Sequence, residues 1–168
     1  MKKKVFISVF ILLVILGVVS WSAYHQSQKE NVDFYTFREY LDKEFFPVIH
    51  DISDYMVIVA EKNDEFNLGQ WNIETGFKAN LKLKSRLKEA REKIINKDVK
   101  YEDTLTLKKH ILLYVLETEE ILDNIYHLSP SAFNLDKIKE FADIQSTDME
   151  RLTGRMKEIN DLLGKYYD

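Results

Sequence analysis

The sequence of 168 residues contains no cysteine, which excludes disulfides, thiolate metal ligands, thiol catalysis and a lipid-modified N-terminal cysteine. Only 5 glycines and 2 prolines interrupt the chain, which is too few for the turns of an all-β fold. A phosphate-binding glycine loop and a G-x-S-x-G nucleophile motif are also missing from the sequence. These absences favour an all-α protein that is not an enzyme.

Outside the first four residues, acidic residues outnumber basic ones. The 24 basic residues include Lys2, Lys3 and Lys4, so the rest of the chain carries 21 basic against 28 acidic residues, a net charge of -7. An acidic domain repels the phosphate backbone, and we therefore expect no nucleic acid among its partners.

One long apolar run stands at the N-terminus. Residues Val5 to Tyr24 are 20 positions without a charge, and a helix of that length spans the roughly 30 Å of a bilayer core. The lysines before it predict that the N-terminus stays inside and the remainder lies outside the cytoplasm, and Trp21 and Tyr24 suit the outer interface. Residues 1–24 are therefore predicted to be a signal-anchor, a single-pass transmembrane helix.

A cleavable signal peptide is the alternative interpretation of the same segment. Small residues at Val18 and Ser20, or at Ser20 and Ser22, fit the positions before a peptidase site. The apolar run is longer than the usual signal core, which favours retention over release. Cleavage would make the protein secreted instead of tethered.

After a polar linker at residues 25–31, residues 32–168 show apolar periodicity in four blocks, which predicts helices at about 34–62, 70–96, 102–128 and 134–166. Pro47 is expected to kink or split the first helix near Phe46. The sequence T-x-x-E at Thr36 fits a capping box, and a second one at Thr147 predicts a possible break near Gln145. The second block is the weakest, because Gly76 and Asn80 interrupt its stripe.

The first block places Phe34, Phe37, Leu41, Phe45, Val48, Ile52, Tyr55 and Val59 on one helical face. The fourth block alternates steps of three and four from Leu135 to Tyr166 with Gln145 as its one polar member. Such a stripe is typical of coiled-coil-like packing, so the predicted fold is an N-terminal transmembrane helix followed by an antiparallel, up-down-up-down four-helix bundle. The same seam also fits pairing between chains, which leaves a homo-oligomer open.

Metal and cofactor sites were sought at the histidines, because helical bundles hold di-iron and haem centres. The Glu-x-x-His pattern of the di-iron proteins fails at His50, His110 and His127. The i,i+4 pairs formed by His50 with Asp54 and by His127 with Asp123 resemble solvated ion pairs more than a ligand set. No metal, cofactor or catalytic residue is predicted.

Basic residues concentrate in the second block, where eight lie between Lys78 and Lys97 against two glutamates. If the second and third helices run antiparallel about a turn near Asp98, Lys78 lies opposite Glu119 or Glu120 and its charge is satisfied. The same register places the lysines nearer the turn opposite other basic residues. A cluster of unpaired positive charge is then expected at the membrane-proximal end of the bundle.

The predicted cluster comprises Lys84, Lys88, Arg91, Lys93, Lys97, Lys100, Lys108 and Lys109. Ordinary solvated charge is the favoured interpretation of such a cluster. The hypothesis set against it is that these residues contact anionic headgroups or an anionic polymer of the cell envelope. The functional prediction is a membrane-tethered, exported bundle that binds a protein partner in the envelope as an accessory or regulatory factor. A secreted helical protein and a small-molecule or metal-binding sensor or enzyme are the alternatives.

Overall fold

Helices account for nearly all of the described residues, as the scarcity of glycine and proline predicts. The structure is a computed structural model that describes the backbone of residues 2–64, 75–128 and 135–165, with the side chains of 20–62, 75–127, 143–144 and 146–165. The elements are α1 (Lys2–Tyr40), a short π-helical segment (Leu41–Phe45), α2 (Phe46–Asp64), α3 (Phe77–Asn96), α4 (Glu102–Leu128) and α5 (Leu135–Gly164). No strand occurs in these residues, so the prediction of an all-α, bundle-like fold is confirmed.

The first helix begins far earlier than the periodicity of the bundle predicts. Residues 25–31, interpreted from the sequence as a linker, continue α1, which runs without interruption from Lys2 to Tyr40. Their side chains are exposed or half-buried, as in a solvated helix that connects two parts of a molecule. Thr36 lies inside the helix and its hydroxyl donates to the carbonyl of Val32 at 2.7 Å, so the predicted capping box at this position is wrong.

Pro47 disturbs the helix without splitting it. A proline has no N–H to donate, and its ring displaces the carbonyl four residues earlier. The preceding turn, Leu41–Phe45, widens into a π-helix in which the N–H of Phe46 donates to the carbonyl of Leu41. One extra residue per turn absorbs the misfit, and helix continues on both sides.

The core is formed by the faces that the apolar periodicity predicts. Every member of the first predicted stripe is buried, namely Phe34, Phe37, Leu41, Phe45, Val48, Ile52, Tyr55 and Val59. On the facing helices, the buried residues include Leu83, Leu87, Ala90 and Ile94 of α3 and Leu107, Ile111, Ile121 and Ile125 of α4. These residues of α1, α2, α3 and α4 belong to a single apolar core.

Asn80 belongs to the core, although its polarity suggested an interruption of the α3 stripe. Its side chain is fully buried, and the amide nitrogen donates to the Leu122 carbonyl at 2.9 Å and to the Tyr55 hydroxyl at 3.4 Å. Among the described residues, its carbonyl oxygen Oδ1 has no hydrogen-bond partner. The residue thereby links α3 to both α2 and α4.

The last helix, α5, has no break near Gln145. The hydroxyl of Thr147 donates to the carbonyl of Asp143 at 3.1 Å, so this threonine lies within the helix and does not begin a new one. The α5 stripe is only partly covered, because Leu152 and Ile159 are buried whereas Met149 remains 40% exposed. The contacts of α5 are made mainly with α4.

The end of the bundle where α1 enters is fixed by a carboxylate. Asp33 of α1 accepts hydrogen bonds from the backbone N–H groups of Lys100 at 3.1 Å and Tyr101 at 3.4 Å. These two residues immediately precede α4, so Asp33 caps the start of that helix from another element. The connection between α3 and α4 is thus attached to α1.

Candidate functional site

Ion pairs join each helix of the bundle to the next one along the chain. Arg86 of α3 pairs with Asp51 of α2, and Lys93 Nζ of α3 lies 3.1 Å from Glu44 Oε2 of the π-helical segment. The pairs between α3 and α4 are Lys84 with Asp123 and Arg91 with Glu119, and those between α4 and α5 are Arg151 with Glu120 and Arg155 with Glu117. His110 Nδ1 of α4 also lies 3.1 Å from Glu158 Oε2 of α5. All three consecutive seams are therefore closed by charge.

The fourth seam, between α2 and α5, is open. No ion pair connects these two helices among their described side chains, and a groove of about 500 Å³ separates them. It is lined by Ile49, Ile52, Ser53 and Met56 of α2, by Tyr114 of α4, and by Met149, Leu152, Thr153, Met156, Lys157 and Asn160 of α5. We call this feature the α2–α5 groove.

The floor of the α2–α5 groove is apolar and its rim is polar. Ile52, Leu152 and Tyr114 are buried at the bottom, where they also belong to the core. Ser53 and Thr153 stand exposed on opposite sides, and the only charged lining residue is Lys157. The described lining residues include no carboxylate, imidazole or thiol, and they offer apolar contact, hydrogen bonds and one cation.

Arg155 of α5 and Tyr114 of α4 have raised pKa values at or next to this groove. Arg155 donates to Glu117 at 3.0 Å and to Glu158 at 2.7 Å, and the hydrogen bond with Glu117 is the main reason that its pKa is raised. Burial raises the pKa of the Tyr114 hydroxyl, and the nearby charge of Glu117 adds to the effect. Arg155 consequently stays positive and Tyr114 neutral at physiological pH.

The predicted register between α3 and α4 is wrong. Glu119, expected opposite Lys78, accepts a hydrogen bond from Arg91 at 2.7 Å, and Lys84, expected to face basic residues, pairs with Asp123. Helical side chains lean toward the N-terminus of their own helix, and in antiparallel helices the two leans point in opposite directions. Residues later in each helix therefore meet, which a comparison of Cα levels alone does not predict.

Several members of the predicted basic cluster have partners within the chain. Lys84 and Arg91 pair with α4, and Lys93 Nζ lies 2.9 Å from Glu89 in addition to its contact with Glu44. These two glutamates raise the pKa of Lys93, so it stays charged. An external anionic surface would have to compete with these ion pairs for Lys84, Arg91 and Lys93.

The members near the α3–α4 connection are also engaged. Lys108 Nζ donates to the carbonyls of Ile95 at 2.8 Å and Lys97 at 2.7 Å, and Lys100 Nζ lies 3.7 Å from Asp98. The Lys97 ammonium stands 5.0 Å from the centroid of the Tyr40 ring. Within the described part of the chain, Lys88 and Lys109 form no ion pair, and anionic-surface binding stays a prediction with less unpaired charge behind it.

The predicted membrane segment falls largely outside the described side chains. Those of Lys2, Lys3 and Lys4 and of the apolar run up to residue 19 are not among them, whereas Trp21 and Tyr24 are 68% and 61% exposed. Among the described residues, no helix combines the length and the apolar character needed to cross a bilayer.

The i,i+4 histidine pairs do not grow into a larger ligand set in the structure. His50 Nε2 lies 3.8 Å from Asp54 with both side chains exposed, and Asp123 is held by Lys84. Among the described side chains, no group of three potential metal ligands comes together.

Sequence reasoning missed the α2–α5 groove because it treated every stripe position of α5 as core. The signal was present in the residue types. Methionine occupies positions 56, 149 and 156 where the other stripes carry mostly Leu, Ile or Phe, and Ser53 and Thr153 flank them where the closed seams carry charges. Flexible methionines on a surface with few charges are typical of binding surfaces.

Comparisons with protein-family models, with curated proteins and with solved structures give no match for this chain. The case for any function therefore rests on the geometry of its own residues.

Proposed function

We propose that this chain is a non-catalytic binding protein of the cell envelope, which is tethered by its N-terminal apolar segment and engages a protein partner through the α2–α5 groove. It would act as an accessory or regulatory factor that presents this groove at a set distance from the bilayer. The bundle in this proposal is an up-down-up-down arrangement of four helices with coiled-coil-like contacts.

The observation that carries the binding role is the contrast between the four seams. Among the described side chains, ion pairs join the helices at three of them, while the fourth exposes Met149 and carries Lys157 as its one charged lining residue. A chain with 31% charged residues has ample charge to close the fourth seam in the same way. Charge-depleted, methionine-containing surfaces are typical of the centres of protein interfaces.

The tether is supported by the sequence together with the path of the backbone. The uncharged run Val5 to Tyr24 follows three lysines, which favours a single-pass helix with its N-terminus inside. Helix α1 is continuous from this run into the bundle, so the groove would be held at a defined distance from the bilayer. Removal of the run by a signal peptidase would give a secreted protein with the same groove.

The first test determines the fate of the N-terminal segment. The intact mass of the protein from its native cells, with its retention in membranes after alkaline carbonate extraction, distinguishes the two forms. A full-length mass with retention supports the tether. A mass that begins near Trp21 or Ala23, together with a soluble pool, refutes the tether and leaves a secreted binding protein.

The second test addresses binding at the groove in living cells. A photo-crosslinking amino acid at Ser53, on the groove rim, should give a specific adduct, whereas the same group at Ser85, exposed on α3, should not. Equal labelling at both positions, or none at either, would refute a binding role for the groove. A chromophore or metal that copurifies with the chain would favour a sensor or enzyme instead.

A further inference from the structure

The lining of the α2–α5 groove repeats with helical spacing on both sides. On α5, Met149, Leu152 and Met156 follow steps of three and four, and on α2 Ile49, Ile52 and Met56 do the same. From Met149 to Asn160 the α5 wall covers 12 residues, a rise of about 16 Å or about three helical turns, and from Ile49 to Met56 the α2 wall covers about two turns. Two such ridges with a hollow between them match the ridge of a third helix.

The single charge of the groove has no counterion among the described residues. Lys157 is exposed and forms no ion pair there, and its neighbour Glu158 already binds Arg155 at 2.7 Å and His110 at 3.1 Å. No lining residue carries a carboxylate. An occupant that covers the apolar floor would place Lys157 in a less polar environment, where it gains from a carboxylate supplied by that occupant.

We propose that the α2–α5 groove binds an amphipathic helix of a partner protein, with apolar residues over three turns and a carboxylate that pairs with Lys157. This inference rests on the proposed binding function and names the class of its partner. The helix inserts its apolar face between α2 and α5 as a further member of the bundle, and its Asp or Glu fixes its position along the groove.

Two other occupants fit the groove less well. A second copy docking groove to groove in a two-fold dimer would bring two Lys157 side chains and no carboxylate from either lining. A single acyl chain with an anionic headgroup would satisfy Lys157, but one chain is too thin to fill the hollow between two helical ridges. The two ridges therefore favour a helix.

The test uses the full chain in lipid nanodiscs and fluorescent stapled peptides of about 14 residues, because unstapled helices of that length are marginal in water. Each peptide carries leucines at i, i+4 and i+7, in a set that shifts this stripe around the helix, and either Glu or Lys beside the stripe. The Glu peptides should bind about fivefold more tightly than the Lys peptides, as an ion pair predicts.

Charge reversal provides the specific control. The substitution Lys157→Glu should invert the preference, so that the Lys peptides bind more tightly. Lys88→Glu, at an exposed lysine of α3 without an ion pair in the described part of the chain, should leave the preference unchanged. Ser53→Lys, which adds a long charged side chain to the rim, should weaken all of the peptides, and Ser85→Lys should weaken none.

Three outcomes overturn the assignment of a helix. The first is that no peptide binds at about 1 mM, the weakest affinity of interest. The second is that the preference for Glu peptides survives Lys157→Glu. The third is that no peptide binds while the chain binds palmitate or dimerises, and that Ser53→Lys abolishes this binding or dimerisation. If crosslinking at Ser53 in cells persists in such a case, the groove still binds something and only the helix is wrong. Loss of both signals overturns the proposed function as well.

Discussion

The replacement of Asn80 by leucine tests how the buried centre of the bundle is held. Asn80 is the one fully buried amide of the described core, with Nδ2 bonded to the Leu122 carbonyl at 2.9 Å and Oδ1 without a partner. Leucine has a similar size and shape and removes both atoms together. The substitution therefore separates the value of the hydrogen bond from the cost of the unpaired oxygen.

The magnitude is the balance of these two contributions. Loss of the Asn80–Leu122 hydrogen bond costs about 1 kcal/mol, and the 3.4 Å contact with Tyr55 adds little because of its length. The Leu122 carbonyl keeps its place in the hydrogen-bond ladder of α4, so it is not left unpaired. Removal of the buried, unpaired Oδ1 returns about 1–3 kcal/mol. We therefore expect Asn80→Leu to raise the free energy of unfolding by about 1 kcal/mol.

The assay is urea unfolding of the full chain in a mild detergent, followed by circular dichroism. Asn160→Leu is the matched control, because this exposed asparagine lies on α5 and its replacement should change stability by no more than about 0.5 kcal/mol. Asn80→Asp places a carboxylate in the same buried position and should destabilise the fold by several kcal/mol at neutral pH. Acidification should reduce that loss.

One combination of results would refute this reasoning. If Asn80→Leu and the more adaptable Asn80→Met both lower stability by more than about 1 kcal/mol, the hydrogen bonds of Asn80 outweigh its unpaired oxygen. The Asn80 amide would then stabilise the fold on balance, instead of lowering its stability.

Three further predictions concern other parts of the bundle. Asp33→Ala removes the acceptor for the backbone N–H groups of Lys100 and Tyr101 and should cost about 1 kcal/mol, with faster hydrogen exchange at those two amides as the check. Phe45→Ala, at a fully buried ring, should cost about 3–5 kcal/mol in denaturant unfolding, and a loss below 1 kcal/mol would contradict the packing described for the π-helical segment. The raised pKa of Tyr114 favours its neutral form in the folded chain, so the associated stability is complete below the ordinary value of 10.0 and is lost as pH rises through the raised value. Tyr114→Phe should therefore lose less stability above pH 10 than the unmodified chain, as measured by tyrosinate absorbance and unfolding at each pH, and identical profiles would contradict this.

The core could be predicted from the sequence because it depends on spacing alone. All eight residues of the first predicted stripe are buried. On α4, Leu107, Ile111, Ile121 and Ile125 are also buried, at helical spacing. The capping motifs were a poorer guide. The T-x-x-E patterns at Thr36 and Thr147 occur inside helices, since residues on both sides continue the helical hydrogen bonding and no local signal opposes them.

The candidate site was beyond the reach of the same reasoning. Whether Lys84 meets Asp123 or a lysine depends on the lean of long side chains across two helices, which a linear register does not contain. Whether Met149 is covered depends on how far α5 lies from α2, and that distance is a property of the assembled bundle. Periodicity identifies the residues that can be buried, and the tertiary arrangement decides which of them are.

The uninterrupted path of α1 has a consequence for the direction in which the groove faces. A flexible linker transmits only a maximum distance, whereas a helix also transmits an angle, because each residue adds about 1.5 Å and rotates the remainder of the chain by about 100°. From Tyr24 to Phe34 the chain advances ten residues, about 15 Å. Adding one residue in this stretch would turn the groove by more than a quarter of a circle while barely lifting it, and adding seven would nearly restore its bearing at a greater height. In the tethered form proposed above, the length of this stretch would set the azimuth of the bundle as well as its height above the bilayer.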